Sequence, residues 1–224
     1  MKKIILLTVL ILIAITAGFF ISSKLNQKDL AKSIDTSGAN EAIFAGGCFW
    51  CVESDFEKLS GVIDVVSGYS GGEGENPSYE NYINKGHIEV VKVIYDEQEI
   101  SYEQLLEYFW KHIDPLDSGG QFCDRGHAYI SSIFHQSFEE EKLAMDSKKK
   151  VEEVLNEKVA TEILKFEKFW IAEDYHQDYY KKHPLKYPTY RKLCGRDNRV
   201  KEIWGDKILN LMRNSSYYAY VIDN

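Results

Sequence analysis

The chain has 224 residues, of which 44% are hydrophobic, and a formal net charge of −8. That length can bury one substantial core, so we expect a single globular domain after the N-terminal region. The acidic balance, without a basic stripe interleaved with aromatic residues, argues against nucleic acid as a partner.

The first part of the chain has the pattern of a membrane segment. Residues 4–21 carry no charge and follow Lys2 and Lys3. As a helix this run would be about 27 Å long, enough to cross a thin bilayer, and the positive flank would leave the rest of the chain outside the cytoplasm. We therefore expect an extracytoplasmic protein anchored in the membrane; the alternative is a cleaved signal peptide and a secreted or periplasmic product. The predicted divisions are an anchor or signal segment at 1–22, a polar linker at 23–40, the main domain at 41–212 and a tail at 213–224.

A strand, a tight turn and a helix are predicted around Cys48. The apolar run 42–45 indicates the strand, the two glycines after it indicate the turn, and apolar residues then recur at helical spacing. Cys48 would stand at the helix N-terminus, where the macrodipole favours a nucleophilic thiolate. Cys51 lies one turn further on, within reach of a disulfide after modest local unwinding.

Strands and capped helices alternate after this segment. Residues 61–69 and 87–95 have the alternating apolar pattern of strands. Glu89 shares the apolar face of the second strand, where loss of water would raise its pKa; the alternative is a glutamate in water at a strand end. The remaining predicted elements are a helix capped by Ser101 and Gln104, strand 129–135, helix 137–158, strand 161–166, a loop and short helix at 172–182 that carries His176, and a last helix at 200–212.

This order of elements, β-α-β-β-α-β-α-β, favours an α+β fold over a doubly wound parallel sheet. We expect a two-layer sandwich with a mixed sheet around a β-α-β-β-α-β, or ferredoxin-like, core.

The cysteines leave several kinds of chemistry open. None of the six histidines can be paired with Cys48 from spacing, which disfavours a cysteine hydrolase. A zinc site formed by Cys48, Cys51, Cys123 and a histidine lacks a second close-spaced ligand pair, so no metal is expected. The main alternative is a thiol-disulfide oxidoreductase that uses the Cys48/Cys51 pair, although the bulky Phe-Trp between them weighs against it. Two structural disulfides are a further alternative outside the cytoplasm.

Eight short motifs between residues 41 and 183 resemble, in order and spacing, those of the A-type peptide methionine sulfoxide reductases. They are Gly46-Cys48-Phe49-Trp50, Gly68-Tyr69-Ser70-Gly71-Gly72, Asn76-Pro77-Ser78-Tyr79, Gly86-His87-Ile88-Glu89, Tyr95-Asp96, Asp114-Pro115, Asp124-Arg125-Gly126 and Ala172-Glu173-Asp174-Tyr175-His176-Gln177. The resemblance implies a thiol-dependent oxidoreductase that returns the S epimer of methionine sulfoxide, in proteins or free, to methionine.

The resemblance also implies the roles of the catalytic residues. Cys48 would attack the sulfoxide sulfur and become a sulfenic acid. Glu89 would protonate the sulfoxide oxygen, and the hydroxyls of Tyr79 and Tyr129 would hydrogen-bond that oxygen.

Four further residues match family positions that bind the substrate. Phe49 and Trp50 would enclose the sulfoxide methyl group. Asp124 and His176 would support the site from behind the reacting groups.

A second thiol must condense with the Cys48 sulfenic acid. The commonest family pattern has its resolving cysteines in a glycine-rich C-terminal tail that this sequence lacks. We expect Cys51 to resolve, because the shorter loop costs less to close; Cys194 and Cys123 are the alternatives. A thioredoxin-like dithiol would then regenerate the enzyme, without a bound cofactor. We expect a monomer that repairs oxidised proteins.

Overall fold

The structure, a computed structural model, describes residues 39–207. Its strands are β1 (Asn40–Gly46), β2 (Val62–Ser70), β3 (Ile88–Tyr95), β4 (Gly120–Gln121), β5 (Asp124–Arg125), β6 (Ser131–His135), β7 (Glu162–Lys165) and β8 (Trp170–Ile171). Its α-helices are α1 (Phe49–Phe56), α2 (Tyr102–Trp110), α3 (Phe138–Leu155), α4 (Tyr179–Lys182), α5 (Lys186–Cys194) and α6 (Arg196–Trp204). Short 3-10 turns cover Ile83–Lys85, His127–Tyr129 and Gly205–Lys207.

Six of the strands form one mixed sheet in the order β7-β6-β1-β3-β2-β8. Neighbouring strands are antiparallel except for β6 and β7, which are parallel. The inner strands β6-β1-β3-β2, with α1 between β1 and β2 and α2 after β3, give the predicted β-α-β-β-α-β order. β4 and β5 pair separately as a small hairpin. The α+β class with a mixed central sheet is therefore confirmed.

The sheet buries apolar side chains on both of its faces. Along β1, Ala42 and Phe44 belong to a large cluster, whereas Ile43 and Ala45 belong to a smaller one. Successive side chains of a strand point to opposite faces, so the two clusters lie on opposite sides of the sheet. Helices α1, α2 and α3 all contribute residues to the large cluster. The helical layer therefore covers the face of the sheet that carries Glu89, which alternates along β3 with Val91 and Val93 of the large cluster.

Both predicted helix caps are present. The Ser101 hydroxyl accepts the Gln104 N–H at 3.3 Å, and the Gln104 side chain accepts the Ser101 N–H at 2.8 Å. At the start of α3, the Ser137 hydroxyl accepts the Glu140 N–H at 3.1 Å. These contacts satisfy donors that the first turn of a helix leaves free, which explains why the cap residues marked the helix starts correctly.

The C-terminal part differs from the prediction. Helix α5 was not predicted, because it buries only Tyr187 and so has no apolar stripe. The predicted helix at 200–212 begins earlier, at Arg196, and its α-helical part ends at Trp204. His176 lies in a turn before α4 and not on a helix. Here tertiary packing, and not helical periodicity, decides the local structure.

The predicted anchor at residues 4–21 and the tail at 213–224 lie outside the described residues, as does the linker apart from its last two residues. Within 39–207, no helix is both long and apolar enough to span a bilayer.

Candidate active site

The nucleophile predicted from sequence stands where a strand turns into a helix. Cys48 is the N-cap residue of α1, and its carbonyl accepts the N–H groups of Cys51 at 3.0 Å and Val52 at 3.3 Å. Gly47, just before it, has φ +82°, and a Cβ there would lie 2.6 Å from Cβ of Gln121. Only glycine fits such a backbone this close to another segment. The turn therefore holds Cys48 in a fixed position that is 6% exposed.

Glu89 reaches this helix start from the neighbouring strand. It is 2% exposed, so the alternative of a glutamate in water is wrong. Its Oε2 accepts the N–H of Phe49 at 2.9 Å, and its Oε1 accepts the hydroxyl of Tyr82 at 2.9 Å. Burial raises the pKa of the carboxyl to about 8, and the two hydrogen bonds lower it only partly. Glu89 is thus mainly protonated at neutral pH.

Three tyrosines lie beside Glu89. The hydroxyls of Tyr82 and Tyr129 are 3.4 Å apart, and burial raises the pKa of Tyr129 to about 12. Tyr79 is 42% exposed and its ring packs on Tyr82, with the centroids 5.9 Å apart. Sequence reasoning missed Tyr82, although the Tyr82 N–H bonds the Ser78 carbonyl in the same turn at 2.8 Å. That turn places Tyr79 and Tyr82, which are three residues apart, on the same side of the chain.

Aromatic side chains form a wall around the helix start. The rings of Phe49 and His176 are 4.8 Å apart, and the indole N–H of Trp50 donates to Nδ1 of His176 at 3.0 Å. Tyr179 stacks on Trp50 with 3.7 Å between the ring centroids. Burial lowers the pKa of His176 to about 4, so the ring is neutral and its remaining proton sits on Nε2. His176 therefore orients Trp50 and carries no charge into the site.

The expectation that the helix start makes Cys48 a thiolate needs correction. Burial raises the pKa of the Cys48 thiol well above its ordinary value, and the neighbouring Cys51 and Glu89 raise it further. The hydrogen bond with Cys48 lowers the pKa of Cys51, and the guanidinium groups of Arg196 and Arg191 act in the same direction. Loss of water therefore opposes the helix dipole at Cys48 and favours the thiol form.

A disulfide that sequence reasoning did not pair joins Cys123 to Cys194, whose Cα atoms are 4.9 Å apart. Cys48 and Cys51 are both buried and carry no disulfide. The Tyr190 hydroxyl, also missed from sequence, donates to Oδ2 of Asp124 at 2.6 Å and interacts with the Cys48 thiol. Burial raises the pKa of Asp124. Of the three resolving candidates, Cys51 lies beside Cys48, and the other two are bonded to each other.

Comparison with known proteins identifies the family. The family model described as peptide methionine sulfoxide reductase matches residues 40–208. The chain belongs to this family. "Peptide methionine sulfoxide reductase MsrA 2" of Rhizobium meliloti is 48% identical over 74% of this chain and 84% of its own length. "Peptide methionine sulfoxide reductase MsrA/MsrB" of Vibrio cholerae is 45% identical over 87% of this chain, which spans 52% of that longer protein.

A solved structure agrees with this membership. Mxr1 of Saccharomyces cerevisiae in its reduced form superimposes with a TM-score of 0.64 and 29% identity, covering 68% of this chain and 90% of Mxr1. The reductase is thus of the A type, an oxidoreductase whose activity is the reduction of methionine sulfoxide.

The reductase brings its predicted site residues to the start of α1. They are Cys48, Phe49, Trp50, Cys51, Tyr79, Glu89, Asp124, Tyr129 and His176. Tyr82 and Tyr190 are the additions. Tyr82 carried a signal in its spacing from Tyr79, whereas Tyr190 lies on the unpredicted α5 and carried none.

The described residues bring together one group of possible metal ligands, Cys123, Asp124 and Cys194. Two of its members are already joined by the disulfide. The zinc site considered from sequence, with Cys48 and Cys51 as ligands, is not assembled between residues 39 and 207.

Proposed function

We propose that this reductase acts on the S epimer of methionine sulfoxide, in proteins and as the free amino acid, with Cys48 as nucleophile and Glu89 as general acid. One observation carries this proposal. The buried Glu89 carboxyl, mainly protonated at neutral pH, accepts the N–H of Phe49, the residue next to Cys48. A proton donor and a sulfur nucleophile are thereby fixed side by side, as reduction of a sulfoxide requires.

The reaction begins with Cys48 Sγ attacking the substrate sulfur while the proton of Glu89 moves to the sulfoxide oxygen. The S–O bond of the substrate then breaks, the hydroxyl passes to Cys48 Sγ, and methionine leaves a cysteine sulfenic acid behind. Two electrons have moved from the cysteine sulfur to the methionine sulfur. The proton that Cys48 loses replaces the one that Glu89 gives to the oxygen, so the step consumes no net proton.

The substrate is held by the surrounding aromatic residues. Phe49 and Trp50 enclose the methyl group, which contributes only about 1 kcal/mol on burial, so the wall mainly orients the sulfoxide. The hydroxyls of Tyr79 and Tyr129 hydrogen-bond the oxygen. A fixed methyl site and a fixed oxygen site together select one epimer at sulfur.

Cys51 resolves the sulfenic acid. Its thiol attacks Cys48 Sγ, water leaves, and a Cys48–Cys51 disulfide forms. The pair already interacts in the resting site, and both side chains lie on the first turn of α1. A thioredoxin-like dithiol protein then reduces the disulfide, without a bound cofactor.

The setting of this reaction follows from the N-terminal sequence. Residues 4–21 anchor the enzyme in a membrane with the reductase domain on the extracytoplasmic side, or are removed as a signal peptide. The substrates are oxidised proteins in that compartment, and the enzyme acts as a monomer.

The test uses the full chain, dithiothreitol and two peptides that carry either the S or the R epimer of methionine sulfoxide. We expect loss of the S peptide only, and no loss with Cys48→Ser, whose melting curve checks that the variant is folded. Disulfide exchange without sulfoxide loss would instead support the thiol-disulfide oxidoreductase. Sulfoxide reduction that survives Cys48→Ser would overturn the proposal.

A further inference from the structure

Glu53 is a buried carboxyl for which the reaction described above has no use. It lies on α1, one turn after Phe49, and its side chain has no exposed surface. Its Oε1 accepts the N–H of Asp178 at 3.1 Å, whereas no described residue hydrogen-bonds its Oε2. A buried oxygen without a partner costs free energy, so a carboxyl is a poor choice at this position for packing alone.

The segment that Glu53 contacts carries two members of the aromatic wall. Nδ1 of His176 accepts the indole N–H of Trp50 at 3.0 Å, and the ring of Tyr179 stacks on Trp50 at 3.7 Å. Asp178 lies between them with φ +53°, a backbone conformation that is uncommon for residues other than glycine. Glu53 therefore holds the chain at the bend between the two groups that fix Trp50.

A second contact fixes the same segment to the sheet. The side-chain amide of Gln177 accepts the N–H of Ser67 at 2.9 Å and donates to the Ser67 carbonyl at 2.9 Å. Gln177 thus sets the position of the segment relative to β2. Glu53 sets its position relative to α1, the helix that also carries Trp50.

We propose that Glu53 is a positioning residue for the substrate methyl group, because its hold on the bend at Asp178 keeps His176 and Tyr179 against Trp50. The proposal rests on the proposed function, which assigns Trp50 to the methyl group. Glu53 touches no reacting atom. It therefore acts on substrate binding and on the shape of the methyl site, and not on proton transfer from Glu89.

The charge state of Glu53 decides which substitutions test this role. Burial raises the pKa of the carboxyl to about 8, the charges of Glu57 and Asp178 act in the same direction, and the N–H groups of Asp178 and Tyr179 lower it only partly. The carboxyl is thus mainly neutral at pH 7, so glutamine matches both its charge and its shape. Methionine has a similar length but is only a weak acceptor.

The experiment compares two substrates with the full chain at pH 7 and dithiothreitol as reductant. One peptide carries the S epimer of methionine sulfoxide, and the other carries the corresponding ethyl sulfoxide. We expect Glu53→Met to raise KM for the methyl substrate about fivefold, the value of one methyl contact, with kcat changed by less than about twofold. The preference for methyl over ethyl, measured as the ratio of kcat/KM, should fall by a similar factor.

Two further variants at the same position sharpen the test. Glu53→Gln should keep the KM and the methyl preference of the natural protein, because its carbonyl oxygen can still accept the Asp178 N–H. Glu53→Asp keeps a carboxyl but withdraws it by one methylene, so it should shift both values in the direction of Glu53→Met. Val151→Ala is the control for lost stability, because Val151 is fully buried on α3, which carries none of the site residues. It should lower the melting temperature and leave both values unchanged.

Three results would overturn the role of Glu53. They are unchanged KM and methyl preference in the methionine and aspartate variants, equal shifts in Val151→Ala, and a glutamine variant that behaves like the methionine variant. If Glu53→Met does not fold, the comparison of Glu53→Asp with Glu53→Gln decides. A natural protein that reduces neither sulfoxide would instead overturn the proposed function.

Discussion

The two cysteine pairs of the reductase share a site and differ in almost everything else. Cys48 and Cys51 are buried and unbridged at a helix start, whereas Cys123 is exposed and bonded to Cys194 at the end of α5. A buried pair can use a neutral carboxyl as an acid, because burial disfavours the ionised form of the carboxyl. The exposed pair instead links two segments that lie 71 residues apart. The difference makes the buried pair the one suited to sulfoxide chemistry.

We expect the largest effect from removing Glu89, the acid that lies beside the buried Cys48/Cys51 pair. Glu89→Gln should lower kcat for sulfoxide reduction by about 10²–10⁴-fold, the range typical of a lost general acid. Cys48 should still react with iodoacetamide, because the nucleophile remains. In the natural enzyme kcat should fall as pH rises through about 8, where Glu89 loses its proton, and remain high below that pH. An unchanged kcat would remove Glu89 from the mechanism.

The next effect concerns the exposed pair and its contribution to stability. The Cys123–Cys194 bond joins residues 71 apart, so reducing it should lower the free energy of unfolding by about 2–4 kcal/mol. Forming the Cys48–Cys51 bond should change stability much less, because it closes a very short loop. Urea unfolding of the protein in each redox state measures both. Equal changes for the two bonds would contradict this comparison.

A smaller effect tests the resolving role of Cys51. Cys51→Ser should still reduce the first equivalent of sulfoxide, since Cys48 carries out that step. Turnover with a thioredoxin-like donor should fall by at least about tenfold, because the sulfenic acid lacks its neighbouring thiol. Rapid-quench analysis of methionine and steady-state turnover separate the two steps. Full turnover in Cys51→Ser would move the resolving role to Cys194 or Cys123.

The smallest expected effect is that of Tyr82→Phe. The Tyr82 hydroxyl lowers the pKa of Glu89, so removing it should move the alkaline fall of kcat to higher pH. The loss in kcat at pH 7 should be about threefold to tenfold, as for one neutral hydrogen bond. Tyr95→Phe is the matched control, because Tyr95 is equally buried but lies in the core away from Glu89. A profile that shifts equally in both variants would contradict a specific role for Tyr82.

The position of Cys48 and Cys51 at a helix start could be predicted from the sequence, whereas the bond between Cys123 and Cys194 could not. Cys48 and Glu89 follow from local patterns, namely a glycine turn before a helical repeat and the alternation of a strand. The Cys123–Cys194 bond joins segments far apart in sequence. Helix α5, which ends at Cys194, also lacks the apolar stripe from which a helix is predicted. The raised pKa of Cys48 could not be predicted either, because burial depends on packing from the whole domain.

The close approach of Gln121 to Gly47 has a consequence for how the molecule tolerates change. Gln121 belongs to the hairpin that also carries Cys123 and Asp124, and its Cβ occupies the space that a side chain at position 47 would need. Any larger residue at 47 would therefore clash with this hairpin and would not extend into solvent. A substitution at Gly47 would therefore displace the hairpin that carries Cys123, and with it one end of the Cys123–Cys194 bond.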